Sequence, residues 1–165
     1  MEAVILCGIQ ASGKTSFYRE RFFDSHVRIS LDVLKTRHRE KILLRACIEA
    51  QQPFVVDNTN PTRRERRLYL EPARAAGFRV VGYWFDIPAR EAITRNHRRP
   101  PSERILVVGI LATYGRLEVP RVDEGFDALF RVRPAPEAGF RVEEMGGAGP
   151  AARKPTAPRL FDSPP

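Results

Sequence analysis

Length, charge and cysteine content narrow the class of protein. At 165 residues the chain is long enough for one α/β domain with its own core and too short for two. Its net charge of +8 favours an anionic partner, although an arginine bias of genomic origin also explains it, since only four of the 28 basic residues are lysine. Two cysteines without metal spacing, no leader-like N-terminal segment and no apolar run longer than residues 105–112 predict a cytoplasmic protein that does not cross a membrane.

The first predicted element is a buried strand at residues 3–7 that leads directly into a glycine-rich loop. Residues 8–15 match the phosphate-binding pattern GxxxxGK[ST] at every fixed position. A helix beginning near Lys14 would point its N–H groups at a polyphosphate, so this loop predicts a site for ATP and Mg²⁺. Lys14 is expected to reach the β- and γ-phosphates, and the Thr15 hydroxyl to ligate Mg²⁺. The predicted ATP contacts of the loop are Gly8, Gln10, Ala11, Ser12, Gly13, Lys14, Thr15 and Ser16.

Strands and helices alternate over the rest of the chain to about residue 133. Further strands are predicted at 27–29, 54–56, 78–85 and 127–132, and further helices at 31–34, 39–50, 60–76, 86–98 and 102–117. This alternation is typical of βαβ units, and with the glycine-rich loop it predicts a three-layer P-loop NTPase/kinase fold around a central parallel sheet. Seven of the 14 prolines fall at 134–165, which predicts a kinase domain at 1–133 and a disordered Pro/Gly-rich tail at 134–165.

Acidic residues lie at or just past the ends of three predicted strands, where parallel sheets bind their ligands. These residues are Asp32, Asp57 and Asp86. Asp57 follows an apolar strand, as expected of a carboxylate that holds Mg²⁺ directly or through water. Asp32 is placed to accept a hydroxyl proton during phosphoryl transfer, but an acid that only complements a helix dipole explains that position equally well.

Two arginine clusters follow later in the chain. Arg95 and Arg99 share one helix face just before Pro100 and Pro101, and they favour a mobile lid that neutralises the transferring phosphoryl group. A solvated basic face is the alternative. For the cluster formed by Arg63, Arg64, Arg66 and Arg67, an exposed helix surface is the favoured interpretation.

Together these stretches resemble the kinase domain of the polynucleotide kinases and their stand-alone bacterial P-loop relatives. The likeness covers about residues 2–133, and its most discriminating stretch is Asp-Asn-Thr-Asn-Pro at 57–61. The other matching stretches are 8–15, 29–32, 94–99 and 114–126.

The resemblance implies roles on the acceptor side of the site. Asp32 corresponds to the general base that activates a nucleic acid 5′-hydroxyl, and Asp57 to an essential acid near the lid. Lys35 stands where some polynucleotide kinases use an arginine to hold the acceptor's phosphate, and lysine keeps that charge without the bidentate fork. Asn58 and Asn60 complete the expected substrate contacts.

On the nucleotide side, Lys14 and Thr15 correspond to the ligands of the ATP phosphates and Mg²⁺, and Arg95 and Arg99 to lid arginines that grip those phosphates. The resulting prediction is an ATP- and Mg²⁺-dependent kinase whose acceptor is the 5′-hydroxyl of single-stranded or end-exposed nucleic acid. A kinase for a nucleoside, sugar or antibiotic would share every ATP-site residue. A non-catalytic ATP-dependent switch module would need no acceptor base.

Overall fold

A computed structural model describes residues 1–135 and 139–146 of the chain. Six strands and six helices follow one another over these residues. The strands are β1 (Glu2–Cys7), β2 (Val27–Ile29), β3 (Phe54–Val56), β4 (Arg79–Phe85), β5 (Ala128–Pro134) and β6 (Phe140–Glu144). The helices are α1 (Lys14–Arg21), α2 (Leu31–Leu34), α3 (Arg37–Glu49), α4 (Arg63–Ala75), α5 (Ala89–His97) and α6 (Val107–Gly115).

All six strands form one sheet in the order β2-β3-β1-β4-β5-β6. The first five are mutually parallel, and β6 runs antiparallel to β5. Because β1 lies between β3 and β4, the chain order reverses at β1, and ligands of open α/β sheets bind at the carboxyl end of such a strand. The glycine-rich loop begins at that end. The predicted P-loop kinase fold with a largely parallel sheet is confirmed.

Alternation along β1 divides the core between the two faces of the sheet. Ala3, Ile5 and Cys7 pack with residues of α3 and α4 on one face, whereas Val4 and Leu6 pack with residues of α1 on the other. All five are fully buried, as expected of a central parallel strand covered on both sides. Helices on both faces therefore give the three layers.

Helices α4, α5 and α6 begin later than the sequence predicts, with α5 starting at Ala89 instead of residue 86. Helix α4 starts after Thr62, whose hydroxyl accepts from the backbone N–H of Glu65 while the Glu65 carboxylate accepts from that of Thr62. The predicted cap Asn60 instead lies at a φ of 45° outside the helix. Ser102 belongs to a single 3-10 turn, and α6 begins at Val107.

The predicted boundary between domain and tail needs correction. Residues 140–144, expected to be disordered, form β6, whose register pairs Val142 with Val132 of β5. The ring of Phe140 packs edge-on against Phe17, with 5.1 Å between centroids. Alternating apolar residues and the free edge of β5 explain this strand. The rest of the predicted tail, 136–138 and 147–165, lies outside the described residues.

Within the described residues, no helix is long and apolar enough to cross a membrane. Both cysteines are free thiols and both are buried. Burial raises the pKa of Cys7 to about 12, so this thiol stays protonated and unreactive at neutral pH.

Candidate active site

Close packing around the glycine-rich loop requires glycine at two positions. Gly8 has a φ of 152°, and a Cβ there would lie 2.8 Å from the Cβ of Phe85. Gly13 has a φ of 101°, and a Cβ there would lie 3.0 Å from the ring of Phe140. Ile9, between them, packs with residues of α5 and α6. The protein residues around the loop therefore restrict its shape.

The side chain of Lys14 fills the centre of this loop. Its Nζ donates to the carbonyl oxygens of Gly8 (2.8 Å) and Ile9 (2.6 Å) and to Oγ of Ser12 (3.3 Å). Burial lowers the pKa of Lys14 to about 8, although the negative charge of Asp57 opposes that shift. A buried ammonium held only by neutral oxygens is a strong attractor for an anion such as a phosphate.

Thr15 of α1, Arg28 of β2 and Asp57, which follows β3, form a second polar group beside the loop. The Thr15 hydroxyl donates to Oδ2 of Asp57 at 3.0 Å. Arg28, on β2, donates to the same oxygen through Nε (2.9 Å) and Nη2 (2.6 Å). The predicted metal ligands Thr15 and Asp57 are thus in direct contact. Because the hydroxyl proton points at Asp57, the lone pairs of the Thr15 oxygen are directed elsewhere, and hydroxyl and carboxylate oxygens suit Mg²⁺.

A cleft of about 340 Å³ joins the loop to the ends of β2 and β3. Most of the predicted site residues line it. They are Gln10, Ala11, Gly13, Lys14, Thr15, Ser16, Asp32, Asp57, Asn58, Asn60 and Arg99. Gly8 and the buried Ser12 lie behind this surface, and Lys35 and Arg95 do not line it. A larger opening of about 550 Å³, between β5, β6 and residues 119–123, contains none of the predicted site residues.

On the acceptor side, Asp32 lies in the first turn of α2 and faces the cleft. The preceding N–H, of Leu31, donates to Oδ1 of Asn58 at 2.9 Å, which fixes α2 against the end of β3. Lys35 ends α2 at a φ of 66°, and its ammonium donates to the main-chain carbonyl of Asp32. Arg37, two residues further on, lines the cleft instead.

A buried polar network supports both Asn58 and Arg37. The Glu40 carboxylate accepts from Nδ2 of Asn58 (2.6 Å), from the hydroxyl of Tyr69 (2.8 Å) and from Nη1 of Arg37 (2.8 Å). Nη1 of Arg37 also donates to the Tyr69 hydroxyl at 2.8 Å. Within the described residues, Nε and Nη2 of Arg37 have no hydrogen-bond partner. This arginine lines the cleft and is anchored through one nitrogen.

The Asp-Asn-Thr-Asn-Pro stretch follows β3 and is hydrogen-bonded to the end of β1. Nδ2 of Asn60 donates to the carbonyl of Leu6 at 2.7 Å, and the N–H of Gly8 donates to the carbonyl of Thr59 at 2.9 Å. Asn58 and Asn60 line the cleft, but their side-chain amides already bind protein groups. Their observed contacts hold the loop in place, and the expected substrate contacts stay a prediction.

Residues 97–104, from the last residue of α5 to shortly before α6, form what we call the lid arm. Its base is closed by the buried Asn96, whose amide donates to the carbonyl of Ile105 (2.7 Å) and accepts from the N–H of the same residue (3.0 Å). Arg99, on the arm, reaches the cleft. Arg95 lies beside the loop, with Nη1 3.7 Å from where a Cβ on Gly13 would be, and its Nε pairs with Glu91 at 3.3 Å.

The position of Arg66 differs most clearly from the one that the sequence predicts. Its side chain is 0% exposed rather than part of a solvated basic patch. It forms a two-bond pair with Glu124 (2.6 and 2.7 Å), and Nη1 donates to three main-chain carbonyls, including that of Asn60. Helical spacing could have revealed it, because Arg66 shares its face with the buried Tyr69, Leu70 and Ala73.

Arg28 and Arg37 were also missed, and for them the sequence carries a weaker signal. Arg28 interrupts a short apolar strand, and Arg37 follows Asp32 by five residues. Neither spacing predicts the contact with Asp57 or with Glu40, because both depend on how distant segments meet.

A glycine-rich loop with a buried lysine, at the reversal point of a parallel sheet, defines a P-loop domain of the kinase type. The chain belongs to the AAA domain family, whose model matches residues 4–108. It is 25% identical over 134 residues to the bifunctional polynucleotide phosphatase/kinase of Schizosaccharomyces pombe (strain 972 / ATCC 24843), covering 76% of this chain and 32% of that protein. The chain thus spans about a third of this relative. The resemblance to the polynucleotide kinase type of P-loop kinase domain is confirmed.

Solved structures of other proteins share the fold, among them the following two. A gluconokinase from Sinorhizobium meliloti 1021 has a TM-score of 0.56 at 18% identity, over 80% of this chain and 82% of that one. Kti12 of Chaetomium thermophilum, in complex with ADP-AlF3, has a TM-score of 0.56 at 19% identity, over 79% and 88%. At these identities the likeness establishes the fold and leaves the acceptor open.

Proposed function

We propose that this protein is an ATP- and Mg²⁺-dependent kinase that transfers the γ-phosphoryl group of ATP to a hydroxyl, with a polynucleotide 5′-hydroxyl as the acceptor. The observation that carries the proposal is that the glycine-rich loop and a candidate proton acceptor line the same cleft. Lys14 and the loop line it, and so does Asp32. A binding module that only senses ATP would not need a carboxylate in the acceptor position.

In this reaction the Asp32 carboxylate accepts the proton of the acceptor hydroxyl, the acceptor oxygen bonds to the γ-phosphorus, and the bond to the ADP oxygen breaks. Lys14 balances charge on the β- and γ-phosphates. Arg99 supplies positive charge from the lid arm. Thr15 and Asp57 would hold Mg²⁺, which when bound neutralises phosphate charge.

A nucleic acid acceptor is favoured by the charge on the acceptor side. Arg37 lines the cleft close in sequence to Asp32, and within the described residues two of its guanidinium nitrogens have no hydrogen-bond partner. Such a group suits a phosphate of the acceptor better than a neutral sugar. The likeness to a polynucleotide phosphatase/kinase supports the same acceptor class. The expected cytoplasmic location stays part of this proposal.

The test is transfer of labelled γ-phosphate from ATP to a 5′-hydroxyl oligonucleotide. We expect Asp32→Asn to lower turnover by about 10³-fold while ATP still binds, because the proton acceptor is gone. We expect Lys14→Ala to weaken ATP binding itself. Asp24→Asn, which changes an exposed carboxylate outside the cleft, is the matched control. ATP binding without transfer to any oligonucleotide would exclude the nucleic acid acceptor and direct the search to small hydroxyl compounds.

The acceptor class can be separated further at Arg37. Arg37→Gln should raise the KM for a 3′-phosphorylated nucleotide acceptor about tenfold, with the KM for ATP unchanged, because one charge-assisted contact is lost. Arg39→Gln, an exposed neighbour outside the cleft, is the control. Equal KM values for the wild type and Arg37→Gln would contradict a phosphate contact there.

A further inference from the structure

One arginine contacts both residues expected to hold the divalent cation. Arg28 donates to Oδ2 of Asp57 through two nitrogens, and its Nη2 also lies 3.4 Å from the hydroxyl oxygen of Thr15. None of the motifs in the chain includes Arg28. Its guanidinium therefore lies against both predicted metal ligands.

The fold holds Arg28 in this position. Its backbone lies in β2, paired in register with Val55 of β3, two residues before Asp57. Its guanidinium lies over the ring of Tyr18, 5.5 Å from the centroid. The side chain is 24% exposed, and that of Asp57 is 2% exposed. Burial and packing therefore restrain this pair more than an ion pair between two exposed side chains.

The positive charge of Arg28 opposes the binding of a divalent cation to Thr15 and Asp57. The guanidinium already neutralises the Asp57 carboxylate, and Nη2 lies beside the oxygen of Thr15 that a metal would need. A divalent ion entering alone would meet the positive charges of Arg28 and Lys14 at a partly buried site, where repulsion is weakly screened. A triphosphate in the loop brings several negative charges and reverses that balance.

We propose that Arg28 is a resident counter-cation of Asp57 that keeps the metal site closed to free Mg²⁺, so that the ion binds only with the nucleotide. Arg28 acts as a positioning residue that sets the order of binding. This inference rests on the proposed function, because it takes Thr15 and Asp57 as the metal ligands.

The experiment measures Mn²⁺ binding to the full chain without nucleotide, from the electron paramagnetic resonance signal of free Mn²⁺. Wild-type protein should bind Mn²⁺ weakly, and Arg28→Gln should bind it about tenfold more tightly or better. Adding Asp57→Asn to Arg28→Gln should abolish that gain. Arg133→Gln is the matched control, since Arg133 makes a two-nitrogen contact with Asp86 outside the cleft (2.9 and 3.1 Å) and its loss changes net charge equally.

Arg28→Lys covers the case in which Arg28→Gln does not fold because Asp57 is left buried and unpaired. Lysine keeps a charge for Asp57 but replaces the three-nitrogen guanidinium with a single ammonium, and we expect Mn²⁺ to bind this variant about threefold more tightly. Unchanged Mn²⁺ affinity in the folded variants, or an equal gain in Arg133→Gln, would overturn the inference. A different result would contradict the proposed function. This is the case if, in the presence of a non-hydrolysable ATP analogue, the wild type binds no more Mn²⁺ than the analogue binds by itself.

Discussion

Helix α4 and the lid arm both carry closely spaced arginines, yet the two regions use them in opposite ways. On α4, Arg66 is fully buried, pairs with Glu124 and donates to three main-chain carbonyls. On the lid arm, Arg99 borders the cleft, and its guanidinium has no partner within the described residues. An arginine that is already satisfied inside the protein stabilises the fold, whereas one left unpaired beside an anion site is free to bind a ligand.

The largest expected effect is on stability and tests the buried arginine of this comparison, Arg66. Arg66→Ala should lower the free energy of unfolding by about 3–5 kcal/mol, because Glu124 would be left as a buried unpaired charge. Urea denaturation measures this change. Arg67→Ala, on the next residue of the same helix, removes an exposed pair with Glu71 and should cost no more than about 0.5 kcal/mol. Equal losses in the two variants would contradict the assignment of Arg66 to the core.

The next largest effect is on catalysis and tests Arg99, the arginine beside the cleft. Arg99→Ala should lower kcat/KM for phosphoryl transfer about 10²-fold, because positive charge is removed from the developing transition state. Its unfolding free energy should stay within about 0.5 kcal/mol of the wild type, since the side chain holds nothing together. Steady-state kinetics and urea denaturation give the two values. Arg98→Ala, an exposed neighbour that does not line the cleft, should keep near-normal kinetics.

Asn96 is buried like Arg66, and within the described residues its side chain hydrogen-bonds to Ile105 and so closes the base of the lid arm. Asn96→Ala leaves both backbone groups of Ile105 without their partners and should lower stability by about 1–3 kcal/mol. Proteolytic cleavage within residues 97–104 should become faster than global unfolding allows. The control is Thr94→Ala on the exposed face of α5. Unchanged cleavage rates would show that the arm is held by other contacts.

The smallest effect concerns the proton on Lys14. Burial lowers its pKa to about 8, and a bound triphosphate would stabilise the ammonium and raise the pKa again. Above about pH 8, binding of ATP should therefore take up a fraction of a proton, and affinity should fall as the pH rises. Near pH 6.5 the ammonium is already present, so this uptake should vanish. Calorimetry in buffers of different ionisation enthalpy measures it, and no uptake at pH 8.5 would contradict the lowered pKa.

What the sequence could predict follows from how local each feature is. The strand, glycine-rich loop and helix are continuous in the chain, so Lys14 and Thr15 could be placed from the pattern alone. Asp32 and Asp57 could be placed at one edge of the sheet because parallel strands share that edge. Arg28 could not be paired with Asp57, because that contact joins side chains 29 residues apart.

The errors in the predicted elements also have local causes. Asn60 and Pro61 resemble a helix start, but the Asn60 amide is used by the carbonyl of Leu6, so the helix begins after Thr62. Strand β6 was missed because its proline- and glycine-rich surroundings outweighed the alternation of Phe140 and Val142. A short edge strand depends on its partner strand more than on its own composition.

Phe140 has a practical consequence for shortening the chain. Its ring lies against Gly13 and Phe17, so a fragment cut at residue 133, where composition changes, would lose the side chain that covers the phosphate-binding loop. Such a fragment would keep every residue of the phosphate-binding motif and still have a looser loop. The smallest unit suited to crystallisation or inhibitor screening therefore extends at least through Glu144.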